Sequence, residues 1–133
     1  MSNSKGYLKQ IHPVLPVKDV VKAVDYYVDK LGFKLAFRDT TDTTDTTDAH
    51  GYAGVSRDSI EIHLQWHDEK EWVAGLDRPM LRIYVEQIEN LYDEYKTQNV
   101  FHENTALKVT PWGTKEFAFY DLNGNGLTFY RDI

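Results

Sequence analysis

The chain has no cysteine among its 133 residues, which excludes a disulfide framework, a thiolate metal site and a cysteine nucleophile. No apolar stretch approaches the ~20 residues that a helix needs to cross a bilayer. The opening MSNSKGYLKQ also lacks the apolar run of a secretory signal, so a reducing cytoplasmic compartment is expected, with no membrane partner. Basic charge is scarce: 15 Lys and Arg against 21 Asp and Glu leave a net charge of -6, the wrong sign for a phosphate backbone, and no nucleic-acid partner is expected. A Gly-x-Ser-x-Gly elbow is missing, as is a glycine loop opening into a helix. The glycine-rich segment 121–126 joins two strands instead.

What is present suits one domain over residues 1–133, with 41% hydrophobic and 14% aromatic residues to build a core. Residues 11–17 read as a strand, and Pro13 and Pro16 place it at an edge. Val20, Val24, Tyr27, Val28 and Leu31 recur at helical spacing, with Asp19 as N-cap and Gly32 as the stop. Strands follow at 33–38, 51–56 and 60–66, the last two turning at Arg57 and Asp58. Between the first two lies a tract of three Thr-Thr-Asp copies, residues 40–48, read as a mobile loop without chemistry. Residues 68–79 are charged, turn-rich and without period, and read as a connector. The order then repeats: a strand at 80–85, a helix at 88–97, a strand at 101–109 and a hairpin of 116–120 with 127–130. The fold class is therefore α+β, with two tandem β-α-β-β-β modules at about 10–67 and 80–133.

Strand side chains alternate faces, so apolar parity assigns a core set and leaves the rest on an open face. Ile60, Ile62 and Leu64 go to the core, against Glu61, His63 and Gln65. Leu81, Ile83 and Val85 oppose Met80, Arg82 and Tyr84. Phe117, Phe119, Leu127 and Phe129 oppose Ala118, Tyr120, Thr128 and Tyr130, while Leu15 and Val17 oppose His12 and Val14. The open face thus combines Tyr84, Tyr120 and Tyr130 with His12, Glu61, His63 and Arg82. Such a lining suits an amphipathic organic ligand as well as it suits a solvated sheet.

Paired modules of this order resemble the vicinal-oxygen-chelate superfamily of glyoxalases, bleomycin-resistance proteins and extradiol dioxygenases. The bleomycin-resistance branch resembles the chain most, through Pro13-Val14-Leu15, Asp19-Val20, Leu31-Gly32-Phe33, Tyr52-Ala53-Gly54-Val55, and Pro111-Trp112-Gly113 followed by Glu116-Phe117-Ala118. The resemblance implies two curved mixed sheets forming cups completed in a homodimer. Phe37, Tyr52 and Trp112 fall where such binders place aromatics against a large cationic drug with a planar bithiazole. Arg82 falls where a tryptophan is common, a departure at one wall.

Enzymes of the superfamily hold a divalent metal at four matching strand positions. These fall here on His12, Glu61, Met80 and Thr128, and the last two are poor ligands for such metals. No catalytic residue and no cofactor are therefore expected, with His12, Glu61 and His63 left as a three-ligand alternative. The implied function is noncovalent sequestration of a bleomycin-like antibiotic. A metal-dependent lyase, isomerase or dioxygenase, and another small-molecule carrier, stay open beside it.

Overall fold

The computed structural model describes residues 5–39 and 49–133, so the Thr-Thr-Asp tract lies outside the described residues. Strand β1 (Val14–Val17) leads into α1 (Val20–Asp25), which continues as a π-helical turn at Tyr26–Lys30. Asp19 is extended at φ -153° and its carboxylate accepts from the Lys22 N–H at 3.0 Å, which starts the helix where the sequence places the cap. Gly32 ends it at φ +77°, a backbone that side chains disfavour. Strands β2 (Lys34–Asp39), β3 (Tyr52–Arg57) and β4 (Ile60–Trp66) follow. The second module contains β5 (Met80–Tyr84), a helix at Ile88–Lys96, β6 (Lys108–Val109), β7 (Thr114–Tyr120) and β8 (Gly126–Asp132).

Each module makes a four-stranded mixed sheet, ordered β1-β4-β3-β2 and β5-β8-β7-β6, with one parallel pair in each. The repeat is thus topological as well as sequential. β1 is an edge strand, consistent with prolines that cannot donate to a second neighbour. The buried residues of both modules form one cluster, from Leu15, Val20 and Tyr27 through Ile62 and Leu64 to Tyr95, Phe117 and Phe129.

Several expectations need correction. The β3–β4 turn is Asp58 and Ser59, because Arg57 still pairs with Ile60, and Ile60 at this strand end is exposed rather than core. The connector contains a short helix, α2 (Glu69–Val73), capped by the Asp68 carboxylate on the Glu71 N–H; the second-module helix is accordingly α3. Only Lys108 and Val109 of the expected strand 101–109 are paired in the sheet. Beside it, side chains meet the edge of β7: Thr105 donates to the Ala118 carbonyl and His102 accepts from the Tyr120 N–H.

The modules clasp each other reciprocally. Arg57, at the end of β3, makes a two-pronged ion pair with Glu94 of α3 at 2.8 Å on both prongs and also donates to the Leu31 carbonyl. The β7–β8 turn docks on the first module: Asp121 accepts from the Tyr27 hydroxyl at 2.7 Å, and Asn125 donates to the Pro16 carbonyl at 3.0 Å.

Glu89 of α3 accepts from Arg131 at 2.9 Å and Lys115 at 3.0 Å, and these bonds pull its carboxyl from 4.5 down to about 2. A group depressed on folding stabilises above its unfolded pKa and loses that contribution as pH falls through the folded one. Melting temperature should therefore fall between pH 4.5 and about 2, and the Glu89→Gln variant should fall less steeply over the same window.

Candidate functional site

The open face of the first sheet is organised by register. β2 pairs Leu35 with Val55 but Phe37 with Gly54, so a bulge inserts one residue between them. Unbroken alternation would carry Phe37 to the same side as Leu35. The bulge instead sets it across from Gly54, which in turn faces His63 on β4. Phe37, Gly54 and His63 form one rung, and the Phe37 ring lies where a Gly54 side chain would be, with a ring carbon 2.3 Å from the ideal Cβ position. The ring meets His63 edge-on at 5.1 Å and stacks with Tyr52 at 6.1 Å.

Gly54→Ala should therefore eject Phe37 from this rung. The expected result is about a tenfold loss of affinity for an aromatic ligand, read by calorimetry. A Phe37→Ala change in the Gly54→Ala background should add little.

His63 joins the aromatic row to an acidic one. Its Nε2 lies 2.7 Å from the Glu61 carboxylate and its Nδ1 2.9 Å from the Tyr52 hydroxyl. A carboxylate only accepts, so His63 donates from Nε2 to Glu61, and in the neutral imidazole its Nδ1 accepts from the Tyr52 hydroxyl. The His12 ring stacks on His63 at 4.7 Å and its Nδ1 lies 3.3 Å from the Glu61 carbonyl oxygen.

The superfamily's four-position metal ring does not fit. Met80 lies over Gly126, its sulfur accepts from the Thr128 hydroxyl at 3.4 Å, and neither residue offers an anionic or imidazole donor. This contact also buries Thr128, which parity had assigned to the open face. The donors of His12, Glu61 and His63 do lie within 4.8 Å of one another, so the three-ligand alternative is geometrically compact.

In the second sheet, Tyr130 sits beside Tyr84 on β5 and across from Glu116 on β7. Arg82 reaches over the Tyr130 ring, 4.3 Å from its centroid, and binds Glu116 at 3.1 Å. Burial pushes the Glu116 carboxyl up, but hydrogen bonds from Thr114, Arg82 and Trp112 and the Arg82 charge outweigh it, leaving it below the ordinary carboxylate range. Glu116 was missed from sequence, although the alternation that assigns Ala118 and Tyr120 extends to it. Trp112 follows Pro111 in a turn closed by Gly113 at φ +88° and is 66% exposed.

A cavity of about 720 Å³ brings His12 and Glu61 together with Ile60, Met80, Arg82 and Tyr84. Phe37, Tyr52 and His63 connect to it through Glu61, and Tyr130 and Glu116 through Arg82. Trp112 does not line this cavity. Tyr120 stands apart from this lining, its ring edge-on to His102.

The duplicated four-stranded mixed sheets define a paired-module α+β class of protein. The chain belongs to the Glyoxalase/Bleomycin resistance protein/Dioxygenase superfamily, whose family model matches residues 9–129. It is 30% identical to bleomycin resistance proteins of Geobacillus stearothermophilus and of Staphylococcus aureus, covering 91% of this chain and 95% of each relative. It is also similar to the bleomycin-binding protein of bleomycin-producing Streptomyces verticillus, solved with copper(II)-bleomycin, at 27% identity and TM-score 0.68 over 92% of this chain and 97% of that one. The bleomycin resistance determinant encoded on transposon Tn5 shares the fold, with TM-score 0.73 at 19% identity over 94% of this chain and 98% of that one. No helix among the described residues is long and apolar enough to cross a membrane.

Proposed function

We propose that the protein sequesters a bleomycin-like antibiotic noncovalently, in clefts completed between two copies of the chain. The observation that carries this reading is the presentation of Phe37, Tyr52 and Trp112. Each ring is held by strand register or a tight turn, and Phe37 and Trp112 keep 39% and 66% of their surface exposed. Rings fixed in this way stack on a planar group with little loss of side-chain freedom. A single chain leaves these walls open, so a second copy supplies the facing wall. The net charge of -6 favours encounter with a cationic drug. The resistance proteins that are 30% identical and the copper(II)-bleomycin complex support the same ligand class. Titration with bleomycin should quench tryptophan fluorescence saturably, and an unchanged spectrum at high micromolar drug contradicts the reading.

A metal-dependent reading rests on one observation, the compact His12, Glu61 and His63 donor set. One equivalent of bound Zn, Ni, Mn or Fe in protein purified without chelators would favour it.

A further inference from the structure

Arg82 is held more tightly than a solvated arginine. Its guanidinium lies over the face of Tyr130 at 4.3 Å, and its Nη2 is tied to Glu116 at 3.1 Å. The tie is itself fixed, because Glu116 is buried and accepts from the Thr114 hydroxyl at 2.7 Å. Register makes the arrangement local: Tyr130 pairs with Glu116 across β7, and Arg82 stands two residues before Tyr130's β5 partner, Tyr84. Among the described residues Arg82 has no other hydrogen-bond partner, so Nε and Nη1 keep unspent donors. The side chain is 47% exposed and lines the cavity with Met80 and Tyr84.

We infer that Arg82 is the specificity-determining plane of this site, stacking on a planar aromatic group of the ligand and donating to a carboxylate or amide oxygen attached to it. The inference rests on the binding reading above and deepens it by naming the ligand chemistry at this wall. The guanidinium sits over the Tyr130 ring and the side chain keeps 47% of its surface exposed, which leaves room for a ligand ring to stack on it as well. Glu116 already supplies the counter-charge, so discrimination here follows planarity and donor geometry rather than net charge. Lysine would keep the charge but lose the plane and the fork. A ligand presenting an ammonium group at this point gives the guanidinium's free donors no acceptor and is disfavoured.

The test uses three probes of one shape, 2-naphthoate, naphthalene-2-carboxamide and 2-naphthylmethylammonium, titrated into the full chain by protein-observed NMR. Fragments of this size bind in the millimolar range, so titration runs to about 5 mM. The two oxygen-bearing probes should shift resonances around Arg82 and Tyr130, with the ammonium probe at least about fivefold weaker. Arg82→Lys should weaken both oxygen-bearing probes by about fivefold or more, and Glu116→Gln, which frees the guanidinium, should weaken them less. The wild-type ranking of the three probes needs no variant, so it decides the matter even if a variant folds poorly. Equal binding of the ammonium probe, an Arg82→Lys protein that binds as well as wild type, or no saturable shift with any probe overturns the inference. Bleomycin quenching of wild type is scored separately. Quenching without the Arg82 dependence sinks this inference alone, whereas the Arg82 dependence without quenching sinks the bleomycin reading.

Discussion

Asp121→Ala is expected to cost about 3 kcal/mol or more of folding stability, a large share of what a domain of this size holds in reserve. Asp121 is buried and accepts four hydrogen bonds: from the Tyr27 hydroxyl at 2.7 Å, from the Asn123 and Asn125 N–H groups at 2.8 and 2.9 Å, and from the Asn125 side chain at 3.1 Å. Alanine leaves the fully buried Tyr27 hydroxyl without its acceptor and releases the turn that grips Pro16. Each buried donor left unpaired costs about 1–3 kcal/mol. Asp121→Asn should cost less. Its carbonyl can still serve the two backbone N–H groups, while its amide meets the Tyr27 hydroxyl and the Asn125 amide as another donor. Urea denaturation midpoints measure all three proteins, and a loss below about 1 kcal/mol for alanine would show that the two modules do not depend on this clasp.

Trp112→Ala carries the largest expected effect on binding. Removing an anchoring aromatic costs on the order of 2 kcal/mol, so the dissociation constant for bleomycin should rise by about 30-fold. Stability should change by no more than about 0.5 kcal/mol, because the ring is 66% exposed. The two readouts together separate a ligand wall from a packing residue. A variant that melts lower but binds equally well would place Trp112 in the structural frame alone. Calorimetry is the suitable method, since the substitution also removes the fluorophore expected to report the ligand.

The sequence made the module order and much of the core visible because both depend on periodicity. Asp19 caps the first helix, Ile62 and Leu64 face inward while Glu61 and His63 do not, and Phe117, Phe119, Leu127 and Phe129 are buried as their alternation requires. What periodicity cannot carry is a change of phase. The bulge before Phe37 reverses its side, and only the family resemblance pointed to that residue. The loop over residues 101–107 looks like a strand in hydropathy, but Thr105 and His102 meet the β7 edge with their side chains instead. Thr128 shows the same limit at the level of packing: its parity is open, yet Met80 folds over neighbouring Gly126 and covers it. The candidate site was legible as a set of side chains on one face. Its bonding, with Tyr52, His63 and Glu61 in one line and Tyr130, Arg82 and Glu116 in another, depends on cross-strand register that a single sequence does not state.

Sequestration requires that the site retain its guest by stacking and charge and leave it chemically unchanged. Incubating the protein with an excess of bleomycin, denaturing it and weighing all the drug by mass spectrometry tests this directly. The expected result is full recovery of unmodified drug after a binding step that saturates in proportion to protein. Conversion of more than one drug molecule per chain, or a drug recovered with altered mass, would contradict it.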